Sequence, residues 1–183
     1  NIMKFIKLFS FAILAFSLSL QSCKKEETPP RTPPDTGLGS LMFDGTNYKI
    51  GGAFGEDYGQ GSWHDGYNID LTLYSDGIVD QGDSLTGNGL AVYFETLTPT
   101  DMIFEPGTYS YSTASPSPVF TFTDFSLIYV GDVNNGGTSG SAFDLDPSSK
   151  FTVTKNGDVY TIVFDVSATS GETLTGTFTG MIP

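Results

Sequence analysis

Apolar and polar residues alternate through most of the chain. In Tyr67-Asn68-Ile69-Asp70-Leu71-Thr72-Leu73-Tyr74, Tyr67, Ile69, Leu71 and Leu73 share one phase, and Asn68, Asp70 and Thr72 the other. A period of two belongs to a strand with one face in a core and one in water. Leu90, Val92 and Phe94 repeat the arrangement, and Pro106-Gly107 is a turn signal ahead of Thr108-Tyr109-Ser110-Tyr111. Phe120 and Phe122 keep one phase while Phe125, Leu127 and Tyr129 keep the other, so a bulge or bend is expected near Asp124. Phe151 and Val153 alternate up to Lys155, and Tyr160, Ile162, Phe164 and Val166 return. Asn156-Gly157 between them predicts a hairpin with a type I′ turn. Further turns are expected at Asp44-Gly45, joining residues 39–43 to 47–54, and at Ser170-Gly171. No window of helical length carries apolar residues at three- and four-residue spacing. The pattern predicts an all-β fold, an antiparallel β-sandwich (jelly-roll or Ig-like) of about nine strands.

The N-terminal part breaks the alternation. Basic Lys4 and Lys7 precede a mainly apolar run from Leu8 to Leu20, and small Ser22 follows. These are the parts of a secretory signal, and the run falls short of the roughly 20 apolar residues of a spanning helix. Thr28-Pro29-Pro30-Arg31-Thr32-Pro33-Pro34-Asp35-Thr36-Gly37 then reads as a semi-rigid, extended linker. The expected organisation is a signal peptide over residues 1–22, a tether over 23–37 and one β domain over 38–183. That last stretch is long enough to bury about two-thirds of its unfolded surface as a single domain.

The junction at Leu20, Ser22 and Cys23 resembles the lipobox of bacterial lipoproteins, although Gln21 departs from the small or β-branched residue usual there. The resemblance implies cleavage before Cys23 and lipidation of that residue. Several acyl chains would make attachment effectively permanent, since each buried methylene contributes about 0.8 kcal/mol. Lys24-Lys25-Glu26-Glu27 resembles the surface-export signal of Bacteroidetes-type lipoproteins, which implies the extracellular face of the outer membrane. The stretch from Val153 through Asn156-Gly157 and Phe164-Asp165 to Gly176 resembles a pattern at the C-termini of small β-sandwich lipoproteins of the same group. It implies fold and compartment and brings no catalytic residue. The tether could hold the domain about 40 Å from the lipid if fully extended.

Charge narrows the partners. After residue 37 the chain carries three basic against eighteen acidic side chains, a net of −15. Such a field repels phosphate backbones, so nucleic acid is excluded as a partner. Oxygen-rich loops offer calcium as the one cofactor to consider, with Asp132, Asn134, Asp144 and Asp146 as ligands and a second loop at Asp76, Asp80 and Asp83. The EF-hand pattern fails, because Phe143 stands where its closing Glu belongs. His64 is the sole histidine, which excludes a multi-histidine zinc site, and no strand-turn-helix elbow presents a serine to it.

Three function classes remain. The loop Tyr58-Gly59-Gln60-Gly61-Ser62-Trp63-His64-Asp65-Gly66-Tyr67 holds the only tryptophan. Rings displayed there, Tyr58, Trp63 and Tyr67, could stack on a sugar while Gln60, His64 and Asp65 bond its hydroxyls. A non-catalytic module held to the membrane by its lipid, with a polysaccharide or a surface protein as partner, is the leading expectation. A small carboxylate-based glycoside hydrolase using two of Glu56, Glu95, Glu105 and Glu172, or a structural adhesion subunit, is the alternative.

Overall fold

A computed structural model describes residues 39–82, 84–100, 104–134, 137–138 and 140–183. Cys23, the signal segment, the tether and Asp83 lie outside the described residues. The fold is all-β. β1 (Ser40–Phe43) and β2 (Thr46–Gly59) form a hairpin at the expected Asp44-Gly45 turn, whose positive φ angles, 44° and 78°, are those of type I′. β3 (Tyr67–Ser75) returns along β2, and β4 (Ile78–Asp80) folds onto the start of β5 (Leu85–Thr98). β6 (Gly107–Tyr111) and the two-residue β7 (Thr121–Phe122) follow. Next come β8 (Leu127–Asn134), β9 (Gly137–Thr138) and β10 (Ser141–Asp144). β11 (Lys150–Asn156), β12 (Val159–Ser167) and β13 (Thr173–Gly180) complete the chain.

The two separate sheets expected of a sandwich are not what forms. β5 is fourteen residues long and takes two partners on its second edge. Gly87–Tyr93 bond to β8, and Thr96–Leu97 bond to β7. The ladder β5-β3-β2-β1-β13-β12-β11-β6-β7 therefore returns to β5 as a closed ring of nine strands. Every pairing is antiparallel except β6 with β7. β8 and β10 flank the other half of β5, and Leu145 carries that flap back to β12 through a bridge to Ala168. Among the described residues each strand of the ring has a neighbour on both sides, and β10 keeps one open edge.

A ring of this size encloses a space that side chains must fill. Phe94, Phe122, Phe151 and Phe164 meet there, with centroids 4.7 Å apart for Phe94 and Phe151 and 5.6 Å for Phe122 and Phe151. Tyr109 stacks on Phe151 at 5.0 Å, and Leu71, Leu73, Val92, Ile162 and Leu174 fill the remainder. Burial of each large side chain contributes about 1.5–3 kcal/mol. Most outward positions of β11 to β13, among them Thr152, Thr154, Asp165 and Thr175, are polar, with Val159 and Val163 as exposed apolar exceptions.

Three expectations are corrected locally. The bend near Asp124 is a full turn, closed by Ser126 N–H donating to Thr123 O at 3.1 Å, and it separates β7 from β8. The β11–β12 turn is centred one residue later than expected, on Gly157-Asp158, because Asn156 pairs with Val159. Positive φ at Gly157 (61°), with none at Asp158, matches type II′. Finally, the supposedly wet face of β3 is covered: Asn68, Asp70 and Thr72 are all buried, since β3 lies between β2 and β5 and their side chains close over it.

Candidate functional site

The outer face of β2, β3, β5 and β8 is where both strand phases turn apolar. Register sets Phe54, Thr72, Tyr93 and Leu127 in one row across the four strands, and Tyr74, Ala91 and Tyr129 in the next. All of these but Tyr74, together with Leu85 and Val133, line a groove of about 270 Å³ that Glu56 also borders. That volume is just under the roughly 300 Å³ at which drug-sized sites begin, and suits one ring or a narrow chain segment. Tyr74, Ile78 and Ala91 form a small outer cluster beneath it.

One row further along the same strands the chemistry reverses. Glu56 pairs with Asp70, and Asp70 with Glu95, so three carboxyls stand directly opposite one another on neighbouring strands. Like charges so placed repel. The middle one is stabilised from both sides: Asn68 Nδ2 donates to Asp70 Oδ1 at 2.9 Å, and Tyr93 Oη donates to Oδ2. Burial nevertheless pushes the Asp70 carboxyl up to about 6, with Glu95 and Glu56 adding to the rise against the two hydrogen bonds. The Tyr93 hydroxyl is raised too, by its burial first and then by Asp70. Glu95 is fixed at the fork of β5, where its N–H donates to Ser126 Oγ at 3.0 Å and its carboxylate accepts from Thr123 Oγ1. The register shift between Asp57 and Gly59 marks a bulge that inserts Tyr58 beside this row. Tyr58 Oη donates to Glu56 Oε2 at 3.4 Å, and its pKa is raised by burial and by Glu56 and Asp70.

The tryptophan loop is placed at the tip of the β2–β3 hairpin. Trp63 is 42% exposed and Tyr58 63%, whereas His64 is buried with its ring 4.3 Å from that of Trp63. The loop is latched to Ser117 by Ser117 N–H to Trp63 O (3.2 Å) and Asp65 N–H to Ser117 O (2.8 Å). At Gly66, with φ of 71°, a Cβ would come within 2.1 Å of Thr98 O, which is why glycine stands there. Asp65 is exposed and Tyr67 half-buried, so Tyr58 alone of the five expected binding residues is brought to the carboxylate row. Ser117 Oγ donates to Ala114 O at 2.7 Å rather than to His64.

Of the carboxylates considered for hydrolysis, Glu56 and Glu95 flank Asp70, while Glu105 bonds Thr100 ahead of β6 and Glu172 bonds Ser170 in the β12–β13 turn. The calcium candidates are spread out. Asp132 accepts from Asn88 at 2.7 Å on β8, and Asp144 pairs with Leu127, five residues back along that strand. Asp146 is engaged by Ser148. Among the described residues no three metal-type side chains converge. The groove itself was missed because alternation assigns the second phase of β3 and β5 to water and sets Leu127 and Tyr129 toward the core, whereas Ile128 is the buried residue of that strand. The available signal was Tyr93 and Ala91 beside Val92 and Phe94, and Leu127 and Tyr129 beside Ile128 and Val130. No protein-family description, characterised protein or solved structure matches the chain.

Proposed function

We propose that the protein is anchored through Cys23 at the extracellular face of the outer membrane and that its barrel is a non-catalytic module that binds carbohydrate in the groove. The reading is carried by one juxtaposition: the rings of Phe54, Tyr93 and Tyr129 line a groove that Glu56 borders, with Asp70 and Glu95 in the next row. A sugar offers an apolar C–H face bordered by hydroxyls. Rings receive the first and carboxylates accept hydrogen bonds from the second. Trp63 and Tyr58 supply further exposed rings on the same hairpin, with His64, Asp65 and Tyr67 around them. The reading needs no cofactor. Tyr129→Ala is expected to reduce retention on the bound polysaccharide at least tenfold, the effect of about 1.4 kcal/mol at a central aromatic contact. Retention unchanged across a panel of polysaccharides overturns the groove as the site, and Trp63→Ala in parallel tests the hairpin tip.

The carboxylate row favours a second reading as a glycoside hydrolase. That chemistry needs two carboxyls about 5–9.5 Å apart, and directly opposed residues have Cβ atoms about 4.5–5.5 Å apart. Asp70, at about 6, would be the acid and Glu56 or Glu95 its partner. Asp70 is only 5% exposed and both its oxygens are hydrogen-bonded, which weighs toward binding. Reducing ends released by the native chain but not by Asp70→Asn, at equal retention, would establish hydrolysis.

A further inference from the structure

We propose that the groove is also the docking site of the chain's own tether, with Pro29-Pro30-Arg31-Thr32-Pro33-Pro34 lying across Phe54, Tyr93 and Tyr129 and the Arg31 guanidinium on the carboxylate of Glu56. Direction comes first. β1 and β2 are antiparallel, with Ser40 opposite Lys49 and Ile50 N–H bonded to Gly39 O at 3.0 Å. Tracing the chain backward from Gly39 therefore leads along β2 toward Phe54 and Glu56. The in-plane lane ahead is taken, because Gly55 N–H donates to Pro183 O at 3.0 Å. The inner side is filled by the core. The outer face, which carries the groove, is the side left open.

Reach agrees. Arg31 is eight residues before Gly39, about 25 Å of polyproline-type chain at 3.1 Å per residue. From Ile50 to Phe54 and Glu56 is four to six strand residues, about 13–20 Å.

Chemistry agrees as well. Proline-rich segments in the polyproline form dock on aromatic-lined grooves at little entropic cost. Arginine stacks on rings and forks onto carboxylates. Charge is complementary: residues 1–37 hold five basic and three acidic side chains, against three basic and eighteen acidic in the remainder. The three lysines of the described residues are occupied elsewhere: Lys49 with Asp76 and Lys150 with Asp165, each at 3.3 Å, and Lys155 over the Tyr160 ring at 4.7 Å. Docking would draw the domain toward the lipid, and a ligand entering the groove would release the tether to its full length.

The Arg31-Thr32 bond reports the docked state, since trypsin needs an extended, accessible segment on both sides of it. In the full chain this bond is expected to be cut at least tenfold more slowly than in a free peptide of residues 26–38. Glu56→Gln and added salt should each bring the rate toward that of the peptide. Arg31→Lys, which leaves the barrel untouched and keeps a trypsin site, should be cut at near the rate of its own peptide. Cutting of the native full chain within twofold of the peptide overturns the proposal, as does slow cutting that neither Glu56→Gln nor Arg31→Lys relieves. The assay contains no glycan, so its failure leaves the carbohydrate reading standing.

Discussion

Asp70 shows how a single carboxyl comes to sit against its own charge. It occupies the central strand of three, with Glu56 on one side and Glu95 on the other, under Tyr93 and Asn68. In the unfolded chain its pKa is near 4, and in the fold it is about 6. Between those values the folded state holds a proton that the unfolded state has released. Stability therefore falls as pH rises from 4 to 6 and stays lowered above. Asp70→Asn removes this dependence. Its thermal midpoint, compared with that of the native chain at pH 4 and pH 7.5, is expected to shift in the variant's favour by about 3–8 °C on going to the higher pH, corresponding to about 1–3 kcal/mol. Equal pH profiles for the two chains would show that the carboxyl is solvated in the fold.

At the scale of elements, β7 is the clasp. It has two residues, yet it joins β5 to β6, and its Phe122 packs on Phe94 at 5.2 Å and Phe151 at 5.6 Å inside the ring. Phe122→Ala is expected to cost about 3–5 kcal/mol. Amide protection in β6 and along Thr96–Leu97 should be lost before that in β2 and β3, as hydrogen exchange would record. This is also the scale at which the sequence was least legible. Tyr67–Tyr74, Leu90–Phe94 and Phe151–Val166 announce themselves because their period-two pattern extends over several residues. A two-residue strand has no period, and nothing local says that β5 will be shared by β7 and β8. Ring closure, and hence the difference from a sandwich, rests on those two facts. The groove was hidden for a related reason. Alternation assigns Tyr93 to water and Tyr129 to the core face with Leu127, and only the strand order β2-β3-β5-β8 brings them together with Phe54. The hairpin at Asp44-Gly45 was legible because both residues favour positive φ. The later turn slipped by one because the Gly157-Asp158 pair satisfies type II′ as readily as Asn156-Gly157 satisfies type I′.

At the scale of the molecule, eighteen acidic side chains against three basic ones after residue 37 set a repulsive field over the barrel. Screening shortens it from a Debye length of about 30 Å at 0.01 M salt to 3 Å at 1 M. The thermal midpoint at neutral pH should rise by a few degrees between 10 mM and 500 mM sodium chloride. A flat or falling midpoint would mean that the carboxylates are too dispersed to repel one another.

The grip on β1 has a mechanical consequence. Ser40–Phe43 bond on one side to β2 and on the other to β13, four register pairs each. Traction on the chain ahead of Gly39, directed along the strand, loads both rows of bonds together in shear instead of opening them one at a time. A barrel held by its leading end against flow would resist being drawn out until both ladders yielded at once, although the strand itself is only four residues long.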